Sequence, residues 1–171
     1  MNHLRRAGLA LFLLAAAAGC RGSGSETDTQ TAERAAAEAA ARDVSPDFAA
    51  ELGVDLESMT RSTSGLYTQD LVDGIGLSAR PGHLIVIRYS GWIPNGELFD
   101  STEDDPEPYT FPLGAGRAIE GWEEGIAGMR IGGKRRLVIP PQLGYGSRGV
   151  PGDVPPNATL VYEIELIDIR M

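Results

Sequence analysis

The stretch Ile119-Glu120-Gly121-Trp122-Glu123-Glu124-Gly125-Ile126 restricts the architecture of this chain more than any other. Ile119, Trp122 and Ile126 follow the i, i+3, i+7 spacing of one helical face, and Glu120, Glu123 and Glu124 fall on the other side. The spacing predicts a short amphipathic helix that lays a tryptophan inward. Gly114 and Gly116 before it, and Gly125 and Gly128 around its end, mark tight backbone on both sides.

The flanking segments read as strands. Leu66 to Val72 is extended, with turns following at Asp73-Gly74 and Pro81-Gly82. Leu84 to Tyr89 alternates, with Ile85, Ile87 and Tyr89 on one face and Leu84, Val86 and Arg88 on the other. Asn95-Gly96 is a hairpin signal leading back into Leu98 to Asp100. Glu103 to Pro108 is an acidic loop, and Tyr109 to Leu113 is a short strand entering the helix. Lys134 to Ile139 is another strand, and its Lys134, Arg135 and Arg136 read as a solvated strand end. Leu143 to Pro156 holds four Gly and three Pro, a long loop of the kind that carries function. In the last strand Leu160, Tyr162, Ile164 and Leu166 alternate with Val161, Glu163 and Glu165, one face buried and one wet. The sum is an α+β fold: an antiparallel, half-open β-sheet wrapped around one short α-helix.

The N-terminal third is different. Residues 1–19 have a secretory signal's charged start, Arg5 and Arg6, and a twelve-residue apolar run, Ala7 to Ala18. Small residues then precede Cys20, the only cysteine, which excludes an internal disulfide. A Cys at that place resembles a bacterial lipobox, with Ala17 where Leu is usual. Cys20 is therefore the expected lipid anchor, and a membrane is expected as partner only through it. The alternative is ordinary signal cleavage. Residues 20–62 read as a flexible, partly helical tether: Arg21 to Gln30 is polar and Gly/Ser-rich, and Thr31 to Arg42 is Ala-rich. Ser45-Pro46 looks like a helix start, with Phe48, Leu52 and Leu56 at i, i+4, i+8, and such a helix either docks on the domain or helps it dimerise. Residues 63–171 then form the globular domain. A net charge of −9 argues against nucleic acid as partner.

Six of the nine Phe and Tyr residues, namely Tyr89, Phe99, Tyr109, Phe111, Tyr145 and Tyr162, fall in segments that can converge on the helix. Trp122 by itself would be an ordinary core residue. With these neighbours it fits an aromatic concavity with a few polar tips, as small-ligand and peptide sites have. No Cys, His and carboxylate cluster has metal spacing, and no nucleophile has a recognisable base. Gly114-Ala115-Gly116 lacks the third glycine of a phosphate cradle. No cofactor is expected, and hydrolysis, redox and phosphoryl transfer all lack their parts.

Five motifs in register carry a resemblance: Tyr89-Ser90-Gly91, Phe99-Asp100-Ser101, Ile119 to Gly125, Tyr145-Gly146 and Pro155-Pro156-Asn157-Ala158-Thr159-Leu160. In order and spacing the chain from about Ser64 to Met171 resembles an FKBP-type peptidyl-prolyl cis-trans isomerase. The resemblance implies a proline ring seated on Trp122, with Tyr89, Phe99, Tyr109, Phe111, Ala118 and Tyr162 as further substrate-binding residues. It implies catalytic roles for Ile119 through its backbone N–H, for Tyr145 through its hydroxyl, and for Asp100 as an orienting carboxylate near the amide carbonyl. X-Pro segments of unfolded or folding proteins are the implied substrates, and a macrolide is a further implied ligand. With the leader, the expected location is exported and membrane-anchored, facing the periplasm or cell exterior. A pocket that holds proline segments without turnover, as a chaperone, is the alternative.

The chain also departs from the family. Asp105 stands where an Arg often pairs with the pocket Asp, which leaves Asp100 without a cationic partner. Ala118 makes one wall shallower. Val150 and Asp153 change the rim of the long loop. Tyr162 replaces Phe and adds a hydroxyl that needs a partner or water.

Overall fold

A computed structural model of the protein describes residues 46–171. The expected signal, Cys20 and the Ala-rich segment lie outside the described residues. In chain order the elements are β1 (Thr60–Arg61), β2 (Tyr67–Val72), β3 (Leu84–Trp92), β4 (Leu98–Ser101), β5 (Tyr109–Pro112), helix α1 (Glu120–Ile126), β6 (Lys134–Ile139) and β7 (Leu160–Arg170). The strands form one antiparallel sheet in the order β1-β2-β6-β7-β3-β4, with β5 also paired to β3.

One edge of β3 is divided between two partners. Its first half, Leu84 to Ile87, pairs with β5, and its last residues, Ser90 to Trp92, pair with β4. Between them the chain leaves as the acidic loop. Thr102 Oγ1 there accepts the Tyr89 N–H at 2.9 Å, and Arg88 donates to the Thr102 carbonyl at 2.6 Å. The sheet is therefore open beside Tyr89.

The alternation expected in β7 is present: Leu160, Tyr162, Ile164 and Leu166 are all buried in the main core. It then slips. Val86 pairs with Asp168 and Ile87 with Leu166, so Ile167 is an extra residue, and Ile169 returns to the core face.

Helix α1 lies on this face against β6. A Cβ at Gly121 would come within 2.5 Å of Ile139 Cγ2, and one at Gly125 within 2.6 Å of Leu137 Cδ1. Glycine at both positions lets helix and strand approach this closely. Glu123, expected on the outer side, turns back instead, and its carboxylate accepts the Gly114 N–H.

The second face corrects two expectations. No α-helix follows Pro46. Ala50–Leu52 forms a single 3-10 turn that ends at Gly53 in the left-handed region, φ 56. Phe48, Leu52, Leu56 and Met59 spread over Val138, Val161, Tyr67 and Trp92 instead. A flat sheet face is covered better by an irregular strap than by one narrow helical stripe, and Gly53 stops helical growth at no steric cost. The strap is pinned at both ends: Ala49 N–H donates to the Pro94 carbonyl at 2.8 Å, and Arg136 donates to the Gly53 carbonyl at 2.6 Å. Residues 46–61, read from sequence as tether, thus pack with the domain, and β1 pairs with β2. The strap also covers Val161, so that part of β7's other face is dry.

The basic end of β6 is likewise less solvated than its sequence implies. Arg135 binds Asp70 at 2.6 and 3.0 Å, and Lys134 and Arg136 reach Glu163 at 2.9 and 2.7 Å. Burial alone would push the Glu163 carboxyl up, but the hydrogen bonds and charges of Lys134 and Arg136 outweigh it and hold the group below the ordinary glutamate range.

Candidate functional site

At the opening beside Tyr89, a cavity of about 340 Å3 is lined by Tyr89, Asp100, Tyr109, Gly116, Arg117, Ala118, Ile119, Trp122, Tyr145 and Tyr162. Five elements (β3, β4, β5, α1 and β7) and two loops converge on it.

Trp122 comes from the first turn of α1, on the face pressed to the sheet by Gly121 and Gly125. Only 5% of it remains exposed. Its ring is met edge-on by Tyr89 at 4.6 Å and Tyr162 at 5.1 Å between centroids, with Tyr109 at 6.2 Å. Such edge-to-face pairs are favoured by the ring quadrupoles and hold the walls in fixed orientation. Tyr162 is on β7's core face, and Gly91 across from it on β3 has no side chain to obstruct it: a Cβ there would lie 2.5 Å from Tyr162 Cε1 and 3.1 Å from Phe99 Cζ.

Ile119 caps the helix in extended conformation, φ −63 and ψ 150. Its backbone N–H makes no hydrogen bond among the described residues, and the residue lines the cavity. Tyr145 is held by the long loop, which is tied to itself. Val150 and Val154 exchange two backbone hydrogen bonds of 2.8 Å, and Asn157 N–H closes on the Gly146 carbonyl at 2.8 Å. Asn157 adopts a left-handed φ of 57 to make that closure.

The polar tips are few. Tyr89 Oη donates to Asp100 Oδ2 at 2.9 Å. Burial, and then the bonded Asp100 carboxylate, push the Tyr89 phenol well above its usual range. The Tyr162 phenol is pushed up further, first by burial and then by the neighbouring Tyr145. Both phenols are neutral donors at physiological pH, so Asp100 and Arg117 bring the only formal charges to the lining.

Eight of the ten residues assigned from sequence thus meet at one cavity: Asp100, Tyr145, Ile119, Tyr89, Tyr109, Ala118, Trp122 and Tyr162. Phe99 and Phe111 do not line it. Phe111 faces the core from β5 opposite Ile85, 2% exposed, and packs behind Trp122 at 6.0 Å and under Tyr109 at 5.7 Å. Phe99 sets its ring against Tyr162 at 5.6 Å and so supports a wall from behind. Gly116 and Arg117 also line the cavity; Gly116 was read only as tight backbone before the helix, and Arg117 was not singled out. Their signal is position alone: they immediately precede Ala118 and Ile119 in the turn that enters α1.

The structure thus shows an aromatic cavity at the edge of an antiparallel sheet with one helix packed on it. Comparison with known proteins gives the class. Residues 76–167 match the family model of the FKBP-type peptidyl-prolyl cis-trans isomerases. An FK506-binding protein of Neisseria meningitidis serogroup B is 48% identical over 105 residues, spanning 61% of this chain and 96% of that protein. The peptidyl-prolyl cis-trans isomerase FPR2 of Saccharomyces cerevisiae is 43% identical over 107 residues, 62% of this chain and 79% of the yeast protein. The crystal structure of AtFKBP13 superposes with a TM-score of 0.62 at 40% identity, covering 66% of this chain and 98% of that one. The chain belongs to the FKBP-type peptidyl-prolyl cis-trans isomerases.

Proposed function

We propose that this cavity accelerates rotation about X-Pro bonds by seating the proline ring on Trp122 between Tyr89, Tyr109 and Tyr162. The observation that carries this reading is the aromatic floor and walls: Trp122, 5% exposed, is met edge-on by Tyr89, Tyr109 and Tyr162. The planar amide is polar by resonance, and rotation must cross about 18–20 kcal/mol to break that resonance. At the twisted state much of the charge separation is gone. An apolar enclosure therefore favours the twisted amide over the planar one, and such differential binding is what raises the rate.

In this reading the free Ile119 N–H takes a substrate carbonyl and the Tyr145 hydroxyl takes another backbone group. Both fix the segment while one amide turns. Asp100, held by Tyr89, orients the amide and transfers no proton. Proline segments of folding proteins are the substrate class. Ligands of the FK506 type, named for the relatives, fit the same cavity. The leader and Cys20 support an exported protein with a lipid anchor, acting on X-Pro bonds outside the cytoplasm.

The alternative, a holder of proline segments without turnover, draws its support from the missing Arg beside Asp100. Tyr89 provides that carboxylate with a donor, which weakens the case. The separating measurement is cis–trans exchange of an X-Pro peptide by NMR, with the Trp122→Ala and Tyr145→Phe variants alongside. Acceleration that falls in both variants supports the isomerase site. Binding without acceleration by folded wild-type protein would leave the holder.

A further inference from the structure

We propose that Arg117 gives this pocket a preference for proline segments with an acidic side chain immediately beside the proline. The inference rests on the isomerase reading and names a substrate class within it. Arg117 lines the cavity, is exposed, and makes no hydrogen bond or ion pair among the described residues. Three arginines of the domain are committed: Arg88 to the Thr102 and Asp105 carbonyls, Arg135 to Asp70 and the Gly125 carbonyl, Arg136 to Glu163 and the Gly53 carbonyl; Arg117 differs from the rest in lining the cavity. The other charged group of the lining, Asp100, already accepts from Tyr89. The lining therefore carries one carboxylate, held by an uncharged donor, and one guanidinium that has no partner among the described residues.

Its position gives that charge a target. Arg117 is two residues before Ile119, whose N–H has no acceptor of its own. A peptide with its ring on Trp122 and a carbonyl at that N–H would bring a flanking side chain toward the part of the lining that Arg117 supplies. A carboxylate there can take the paired N–H donors of the guanidinium, whereas a Lys side chain meets like charge. The chain as a whole is acidic, net −9, and Glu103, Asp104, Asp105 and Glu107 lie in the neighbouring loop sequence. That general field disfavours acidic ligands, but at about 0.15 M salt it is screened beyond about 8 Å, while a contact pair is screened less. Selectivity should therefore be local, and an exposed pair of this kind corresponds to about a two- to fivefold preference.

The test uses the full chain and proline peptides with Glu, Ala or Lys placed immediately before or immediately after the proline. NMR measures exchange rates and, by titration, affinities. The expected result is Glu handled best and Lys worst at one or both positions, mainly through KM. Arg117→Ala should abolish the order, Arg117→Glu reverse it, and Arg117→Lys retain most of it. Equal handling of the three peptides, or a Glu preference that survives Arg117→Ala, overturns the proposal. If no peptide exchanges faster than in buffer, the isomerase reading fails instead, and the ratio of Glu to Lys affinities in the titration still decides the role of Arg117.

Discussion

Tyr89 Oη donates to Asp100 Oδ2 at 2.9 Å, joining β3 to β4 across the mouth of the cavity. The bond gives the pocket carboxylate an uncharged partner where a cation is absent, Asp105 standing in its usual place. Tyr89 is at once a wall and the group that fixes the rim.

Removing that hydroxyl while keeping the ring separates the two duties. Tyr89→Phe should retain peptide binding but lower kcat/KM about fivefold, the equivalent of about 1 kcal/mol for one net hydrogen bond. Exchange spectroscopy on an X-Pro peptide measures it. An unchanged rate would show that Asp100 needs no holding.

The rate should be flat between about pH 6 and 9, because no group assigned to the site has to change charge in that window. Tyr89 and Tyr162 both have phenols raised above their usual range, so they lose their protons only at stronger alkali than a free tyrosine. A bell-shaped pH–rate profile in that range would mean that proton transfer takes part.

Stability should respond to acid through Glu163. Its carboxyl is lowered from the ordinary 4.5, so the folded state prefers the ionised form. That contribution is complete above the unfolded value and is lost as pH falls through the lower, folded one. Denaturant midpoints of wild type and Glu163→Gln should therefore converge as pH drops from about 6 to 3, with wild type the more stable at the upper end. Parallel curves would refute the assignment.

Gly125→Ala would drive a methyl group into Leu137, a fully buried side chain. Overpacking of this kind costs about 1–3 kcal/mol. Calorimetry should show Tm lowered by at least about 4 °C. The wall ring Trp122 rides on the same helix, so peptide affinity should fall with it.

The strap can be tested at one bond. Ala49 already has φ −57, close to the value proline imposes, so Ala49→Pro removes chiefly the N–H given to the Pro94 carbonyl. Amide exchange at Ile93 and Gly96, in the β3–β4 turn, should quicken while the β6 and β7 amides stay protected. Uniform protection throughout would mean that the turn needs no such support.

The strands and helix were legible because their periods are clean: alternation in β3 and β7, and three apolar residues on one face of α1. Five of the eight lining residues, Tyr89, Asp100, Ile119, Trp122 and Tyr145, were legible because they fall in family-like motifs whose order the chain preserves; Tyr109, Ala118 and Tyr162 were placed by the segments beside those motifs. Phe99 and Phe111 were assigned as substrate-binding because residue type says nothing about which layer of an aromatic cluster a ring occupies. Phe111 shares a strand face with Tyr109, and only depth in the core separates them. Arg117 was passed over because it belongs to no apolar pattern. The strap was misread because Phe48, Leu52 and Leu56 do have helical spacing. What overrides it is the apolar patch of Val138, Val161, Tyr67 and Trp92, brought together by pairing between distant strands. Glu123 was placed outside by the same helical count, although its reach back to Gly114 is a turn-closing contact no periodicity encodes.

The family match covers residues 76–167, yet β1, β2 and the strap all precede it. A protein trimmed to that span would leave β6 as a raw sheet border, its outward N–H and C=O groups stripped of the Tyr67–Val72 partner. The greasy patch around Val138 and Val161 would sit in water beside it. Border strands of that kind recruit other chains. The residues that identify this enzyme are thus not the ones that keep it from sticking to itself.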